Sequence, residues 1–170
     1  MTTQTLDHAG IAARVPHSGS MCLLDRLRSW SSGHIECSAV NHREVANPLR
    51  TPEGLLSVNG IEYAAQAMAL HASLNASMSA SMSASLSASL SAPAAAPAGG
   101  ASAPVPGFLA SVRAVRLLVP RLDEVAGELQ VLATRLAGDA RQALYSFALH
   151  DDQGRLLMDG RATVILNALP

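Results

Sequence analysis

Glu62 and Gln66 stand one helical turn apart in NGIEYAAQAMALHA, residues Asn59 to Ala72, where nearly every other side chain is apolar or small. Residues four apart share one face of a helix. A carboxylate in apolar surroundings is a candidate proton donor or acceptor, because burial and neighbouring groups tune such a residue for acid–base work. Two structural explanations compete with that chemistry. Asn59, three residues before Glu62, has the spacing of a capping box, in which the Glu side chain reaches back to the helix cap. Alternatively, Glu62 lies at the solvent edge of the helix.

The element that must position Glu62 is itself legible. Ile61, Ala65, Met68 and Ala72 recur at helical intervals, and alanines at 64, 65, 67 and 69 leave so little bulk that a sheet can pack close. A chain of 170 residues suits a single domain, 1–170, with a real core, and its 49% hydrophobic content against 15% charged residues agrees. The net charge of −1 and the scattered basic residues argue against nucleic acid as a partner. Cys22 and Cys37 lack the spacing of a zinc site and read as buried structural thiols. No apolar run is long enough to span a membrane, and the first residues lack the apolar core of a signal peptide, so a soluble, cytoplasmic protein is expected.

Along the chain, Ala9 to Arg14 predicts a short helical turn ending ahead of Pro16, and His17 to Ser20 a loop. Met21 to Trp30 and His34 to Val40 read as a hairpin around Ser31-Ser32-Gly33. Residues 41 to 58 hold Pro48, Pro52 and Gly54 without a steady period and predict a long connecting loop. After Ala72 the composition turns abruptly to serine and alanine, with Leu74, Met78, Met82, Leu86 and Leu90 every four residues. One to four further helical turns and then a Pro/Ala/Gly linker to about Pro106 are expected, so 73–106 reads as a low-complexity insertion. Gly107 to Pro120 predicts a long strand. Leu122 to Gly138 fits helix at several points but alternates from Glu128 to Thr134, and strand is chosen to complete the sheet. Ala140 to Asp152 and Arg155 to Ala168 predict a hairpin around Asp152-Gln153-Gly154.

Two strands, one central helix and four strands, together with residues at three places, resemble the hot-dog fold dehydratases that act on 3-hydroxyacyl groups carried by acyl carrier protein. Val15-Pro16-His17 with Cys22-Leu23-Leu24-Asp25-Arg26 is similar to the family's LPH…LLxDR opening. Glu62 to Met68 is similar to its E-x-M-A-Q helix, and Gly107 to Pro120 to its long strand after the helix. The resemblance implies an α+β fold in which an antiparallel sheet of about six strands wraps one long helix, with subunits paired as a homodimer or heterodimer. One departure stands out: the family's GHFPG loop carries a histidine base, and the same interval back from Glu62 lands on Pro48. The NPLR and GIEYAAQAMA wording is most similar to the divergent dehydratase-like proteins of aryl-polyene clusters. In those pathways a second hot-dog protein can hold the full histidine and carboxylate set.

Dehydration of a 3-hydroxyacyl thioester needs a base for the α-proton, an acid for the departing hydroxyl and donors for the thioester oxygen. The resemblance points to Glu62 and His17 as the catalytic pair, because it sets the Pro-His loop beside the acyl channel; a loop histidine that orders its turn is the structural alternative. Asn47, Gly60 and Gln66 are the candidate substrate-binding residues, Gly60 through backbone N–H groups at the helix start. An acyl carrier protein is the implied partner, and no cofactor or metal is implied. Two other functions share the fold: a catalytically silent subunit that binds acyl carrier protein or an active paralogue, and a thioesterase in which the carboxylate activates water.

Overall fold

A computed structural model describes residues 5–88, 107–139 and 141–166. A short helix, α1 (His8–Ala12), is capped by Asp7, whose side chain accepts from the Gly10 N–H. It leads through Pro16 to a single 3-10 turn at Gly19–Met21. The strands are β1 (Arg26–Trp30) and β2 (His34–Ala39), then, after helix α2 (Gly60–Ala88), β3 (Phe108–Leu117), β4 (Leu129–Gly138), β5 (Gln142–His150) and β6 (Leu156–Ile165). All pair antiparallel in one six-stranded sheet of order β1-β2-β4-β5-β6-β3. This is the architecture the resemblance implied.

Alternation carries the sheet. Along β5 every second residue, from Ala143 through Tyr145 and Phe147 to Leu149, is buried, and the same period runs through Leu129, Val131 and Ala133 of β4. These inward residues meet α2, which packs against β2, β4 and β5. The helix buries Tyr63, Ala64, Ala67, Met68, Leu70, His71 and Leu74. Full burial of a side chain the size of Leu or Met contributes about 1.5–3 kcal/mol. The expected stripe of Ile61, Ala65, Met68 and Ala72 is rotated from this face: only Met68 is fully buried and the other three are half-buried. The inward face turns toward Tyr63 and His71 because both find hydrogen-bond partners inside.

Both predicted hairpins form, the second around Gly154 in the left-handed region at φ 79°, which a residue with a Cβ adopts only under strain. Three features differ from expectation. The strand predicted from Met21 begins at Arg26, because Gln66 of α2 takes the Leu23 N–H and the Met21 carbonyl and leaves that backbone nothing to offer a neighbouring strand. Of the ambiguous stretch 122–138 only Leu129–Gly138 is strand, and its first part is a loop tied to residue 55 by Leu122 N–H donating to the Leu55 carbonyl. The third difference is one of pairing: β3 crosses to the far edge of the sheet and pairs with β6, not with β4, the strand that follows it in sequence.

The helix runs on past Ala72 by about four and a half turns, beyond the one to four expected, to Ala88. Its serines bond back along the helix, Ser77 to the Ser73 carbonyl and Ser83 to the Ser79 carbonyl, so their hydroxyls are satisfied within the helix by sharing carbonyls with the backbone ladder. Met78 and Met82 on this extension are exposed. The linker expected over 89–106 lies outside the described residues. Cys22 and Cys37 are buried free thiols, as expected, and burial pushes the Cys37 thiol up to about 12.

Two buried histidines make the core acid-sensitive. His71 donates from Nε2 to the Ser31 carbonyl and accepts at Nδ1 from the Tyr145 hydroxyl, tying α2 to β5 and to the β1–β2 turn. His42 donates from Nε2 to the Val125 carbonyl. Burial lowers the pKa of each below its ordinary 6.5. The unfolded chain therefore binds protons more readily than the folded one, and the stability these histidines contribute is complete above about pH 6.5 and is lost as the pH falls from there through the lower pKa of the folded state. Melting temperature is expected to drop between about pH 7 and about pH 5, above the range where Asp and Glu titrate, and a His71→Gln variant is expected to show a shallower drop. Thermal melts across that range check it.

Candidate active site

Glu62 sits in the first turn of α2, and the chain ahead of it decides which way its side chain points. The capping box does not form. Residues Ser57–Asn59 make a 3-10 turn, the Asn59 amide donates to the Leu49 carbonyl at 3.0 Å, and Glu62 is free to turn elsewhere. It meets His17: Nε2 lies 3.1 Å from Glu62 Oε1, with both side chains about one-third exposed, at 29% and 31%. Gln66 Nε2 donates to the same Oε1 at 3.0 Å. One carboxylate oxygen is thus held by two donors. The other, Oε2, has no hydrogen-bond partner among the described residues, and the His17 Nδ1 is buried without one.

Gln66 is the piece that assembles this geometry. It is fully buried, accepts from the Leu23 N–H at 2.8 Å and donates to the Met21 carbonyl at 2.7 Å as well as to Glu62. Because Leu23 offers an N–H, the amide must present its oxygen there and its NH₂ to Met21 and Glu62. Both amide hydrogens and one lone pair of the oxygen go to the protein, and these bonds position Glu62 and the segment following His17.

The remaining expected residues serve the loop before the helix. Asn47 donates to the Asn41 carbonyl and to the Tyr63 hydroxyl, and accepts from the Leu49 N–H. Tyr63 in turn donates to Asn41 Oδ1, and burial pushes its hydroxyl up to about 12. Gly60 is required by packing: a Cβ there would overlap Met158 Sδ and Leu149 Cδ2. Its N–H donates to the Ser57 carbonyl and that of Asn59 to the Leu56 carbonyl, so these two are already engaged.

Sequence reasoning missed Asp123. It binds the Leu55 N–H, Arg121 and Arg50 at once, and these bonds, that of Arg121 foremost, hold its carboxyl down to about 2. Nothing in the local pattern around Asp123 announces Leu55, 68 residues away, or Arg50 as its partners. Two clefts open near the site. One of about 280 Å³ lies between Gly19–Asp25 and the loop carrying Asn41, Asn47 and Pro48; the other, of about 440 Å³, is walled by Leu56, Val58, Leu117, Leu118 and Pro120. Glu62 and His17 line neither cleft. No described group of side chains could hold a metal ion, and no described helix is long and apolar enough to cross a membrane.

Residues 9–168 match the family model for ApeP-like proteins, the ApeP dehydratases. The chain belongs to the ApeP-like dehydratase family. The fold of this ApeP-like chain is shared with the dehydratase heterocomplex ApeI:P from Xenorhabdus doucetiae, at TM-score 0.72 and 21% identity over 92% of this chain and 90% of that one. Thioesterase HI1161 from Haemophilus influenzae matches at TM-score 0.57 and 12% identity, over 96% and 92% of the two chains. AziG from S. sahachiroi matches at 0.51 and 15%, over 86% and 91%. At these identities the likeness establishes the hot-dog fold. No curated protein is similar to this ApeP-like chain.

Proposed function

We propose that the protein dehydrates a 3-hydroxyacyl thioester held on acyl carrier protein to the trans-2-enoyl thioester, within a fatty-acid or polyene-like pathway. The observation that carries this reading is the contact of His17 Nε2 with Glu62 Oε1, oriented by Gln66. The pair takes one proton from the α-carbon at Glu62 Oε2 and returns one to the departing 3-hydroxyl. The α-carbon electrons form the new double bond, and water leaves. His17, donating to Oε1, shares the proton load of the carboxylate through both steps.

Pro48 at the place of the family's loop histidine supports a second feature: the working unit is an unlike pair of hot-dog subunits, as the name of the ApeI:P heterocomplex says of that protein. The same substitution favours the silent-subunit reading, in which this chain only supports an active partner. Incubating the purified protein with 3-hydroxydecanoyl carrier protein, alone and with a second hot-dog subunit from the same gene neighbourhood, separates the readings by mass spectrometry. Loss of water that depends on this chain's own Glu62 supports dehydration. Release of free acid points to a thioesterase, and turnover indifferent to Glu62 to the silent subunit.

A further inference from the structure

Among the described residues, one long sheet edge has no strand beside it. At the other end of the sheet β1 is short, five residues, and Leu6 bridges to Leu27 along it. By contrast β3 is a ten-residue terminal strand paired on one side alone, and Phe108, Leu109 and Leu117 on it are exposed, as is Ile165 opposite Phe108. Such an edge offers a row of unpaired backbone groups to another strand.

Its charge is one-sided. Arg113 lies directly opposite Arg161 of β6, so both project from the same face of the sheet; both are exposed, and neither has an ion-pair partner among the described residues. A bulge follows: Ala114 takes the left-handed region at φ 51°, and the register passes from Arg113↔Arg161 to Arg116↔Asp159, three residues on β3 against two on β6. Without the extra residue Arg116 would face the opposite side. With it, Arg116 joins the same face and binds both oxygens of Asp159, the only carboxylate of β3 and β6. On the next strand, β5, Ser146 lies opposite Arg161. The edge therefore keeps two uncompensated guanidinium groups side by side.

Antiparallel pairing of β3 with a second copy of itself is related by a two-fold axis, and any register that uses most of the strand sets the two Arg113 side chains within a few residues of each other. Four unpaired guanidinium groups would then crowd one patch. Like charges opposed across strands destabilise the pairing, and opposite charges favour it. We infer that the β3 edge docks an unlike subunit whose own edge strand carries carboxylates facing Arg113 and Arg161, and that these arginines select it over a second copy of this chain. The inference rests on the heteromeric part of the reading above and names what chooses the partner.

Charge-reversed protein stands in for that partner. Sedimentation velocity in about 50 mM NaCl is run on the wild-type chain, on an R113E/R161E variant and on their equimolar mixture. The mixture is expected to dimerise about tenfold more tightly than either protein alone, with the advantage gone in about 1 M NaCl. Wild-type protein that self-associates as tightly as the mixture, or an advantage that survives high salt, overturns the inference. If circular dichroism shows the variant unfolded, R113Q/R161Q decides: self-association about threefold tighter than wild type is expected, and no change overturns it. The readout is association alone, so a failed dehydration assay leaves it standing, and a failed association leaves the Glu62 chemistry standing.

Discussion

A Glu62→Gln variant is expected to fold normally and to lose about 10²–10⁴-fold in dehydration rate, the range that a positioned acid–base group supplies. Gln keeps the size of Glu and keeps an oxygen that can accept from His17 and Gln66, so the contacts around Oε1 survive. What it removes is the capacity of Oε2 to take and return a proton. The loss should therefore fall on kcat with KM little changed, the pattern of an interaction made in the transition state. His17→Gln is expected to lose less, about 10–100-fold, because it removes the donor that shares the proton while the carboxylate remains. Steady-state kinetics of the two variants, with melting temperatures as a control for folding, check this. Turnover of Glu62→Gln at the wild-type rate would mean that the partner holds the chemistry and this chain is a scaffold.

The same residues show what was readable in the sequence and what was not. Periodicity exposed the central helix, though not the face it buries, and the β5–β6 hairpin, where burial along β5 follows local alternation. The resemblance singled out Glu62 and His17, and the fold brings them into contact across 45 positions of sequence only because Gln66 binds Met21 and Leu23. That capture was invisible: Met21 to Asp25 reads as strand by composition, and only the tertiary contact shows its backbone bonds going to a side chain. Asn47 read as a substrate ligand is turned inward by Tyr63, whose hydroxyl needed a buried partner. The position of β3 at the far edge was equally illegible, since connection length does not say which neighbour a strand will choose. With it went the meaning of Arg113 and Arg161, which are ordinary surface arginines until the register sets them face to face.

Gln66 joins fold and chemistry, and its replacement by leucine should damage both. Leucine is close in volume and suits the apolar surroundings, so the loss is not one of packing. It strands the Leu23 N–H and the Met21 carbonyl, each of which costs about 1–3 kcal/mol when buried unpaired, and it takes from Glu62 the donor that fixes Oε1. A destabilisation of about 2–5 kcal/mol is expected in urea unfolding. In the fraction that stays folded, a fall in kcat should accompany it, because the segment carrying His17 is no longer tied to the helix carrying Glu62. Glutamate at the same position separates the two effects. Gln66→Glu can still accept from Leu23 but offers no NH₂ to Met21 or Glu62 and sets a second carboxyl beside the first. Like charges that close cannot both ionise readily. The pH profile of kcat should then move to higher pH, which lost stability alone would not produce. A profile that stays in place, with activity tracking only the folded fraction, would make Gln66 a structural tie and nothing more.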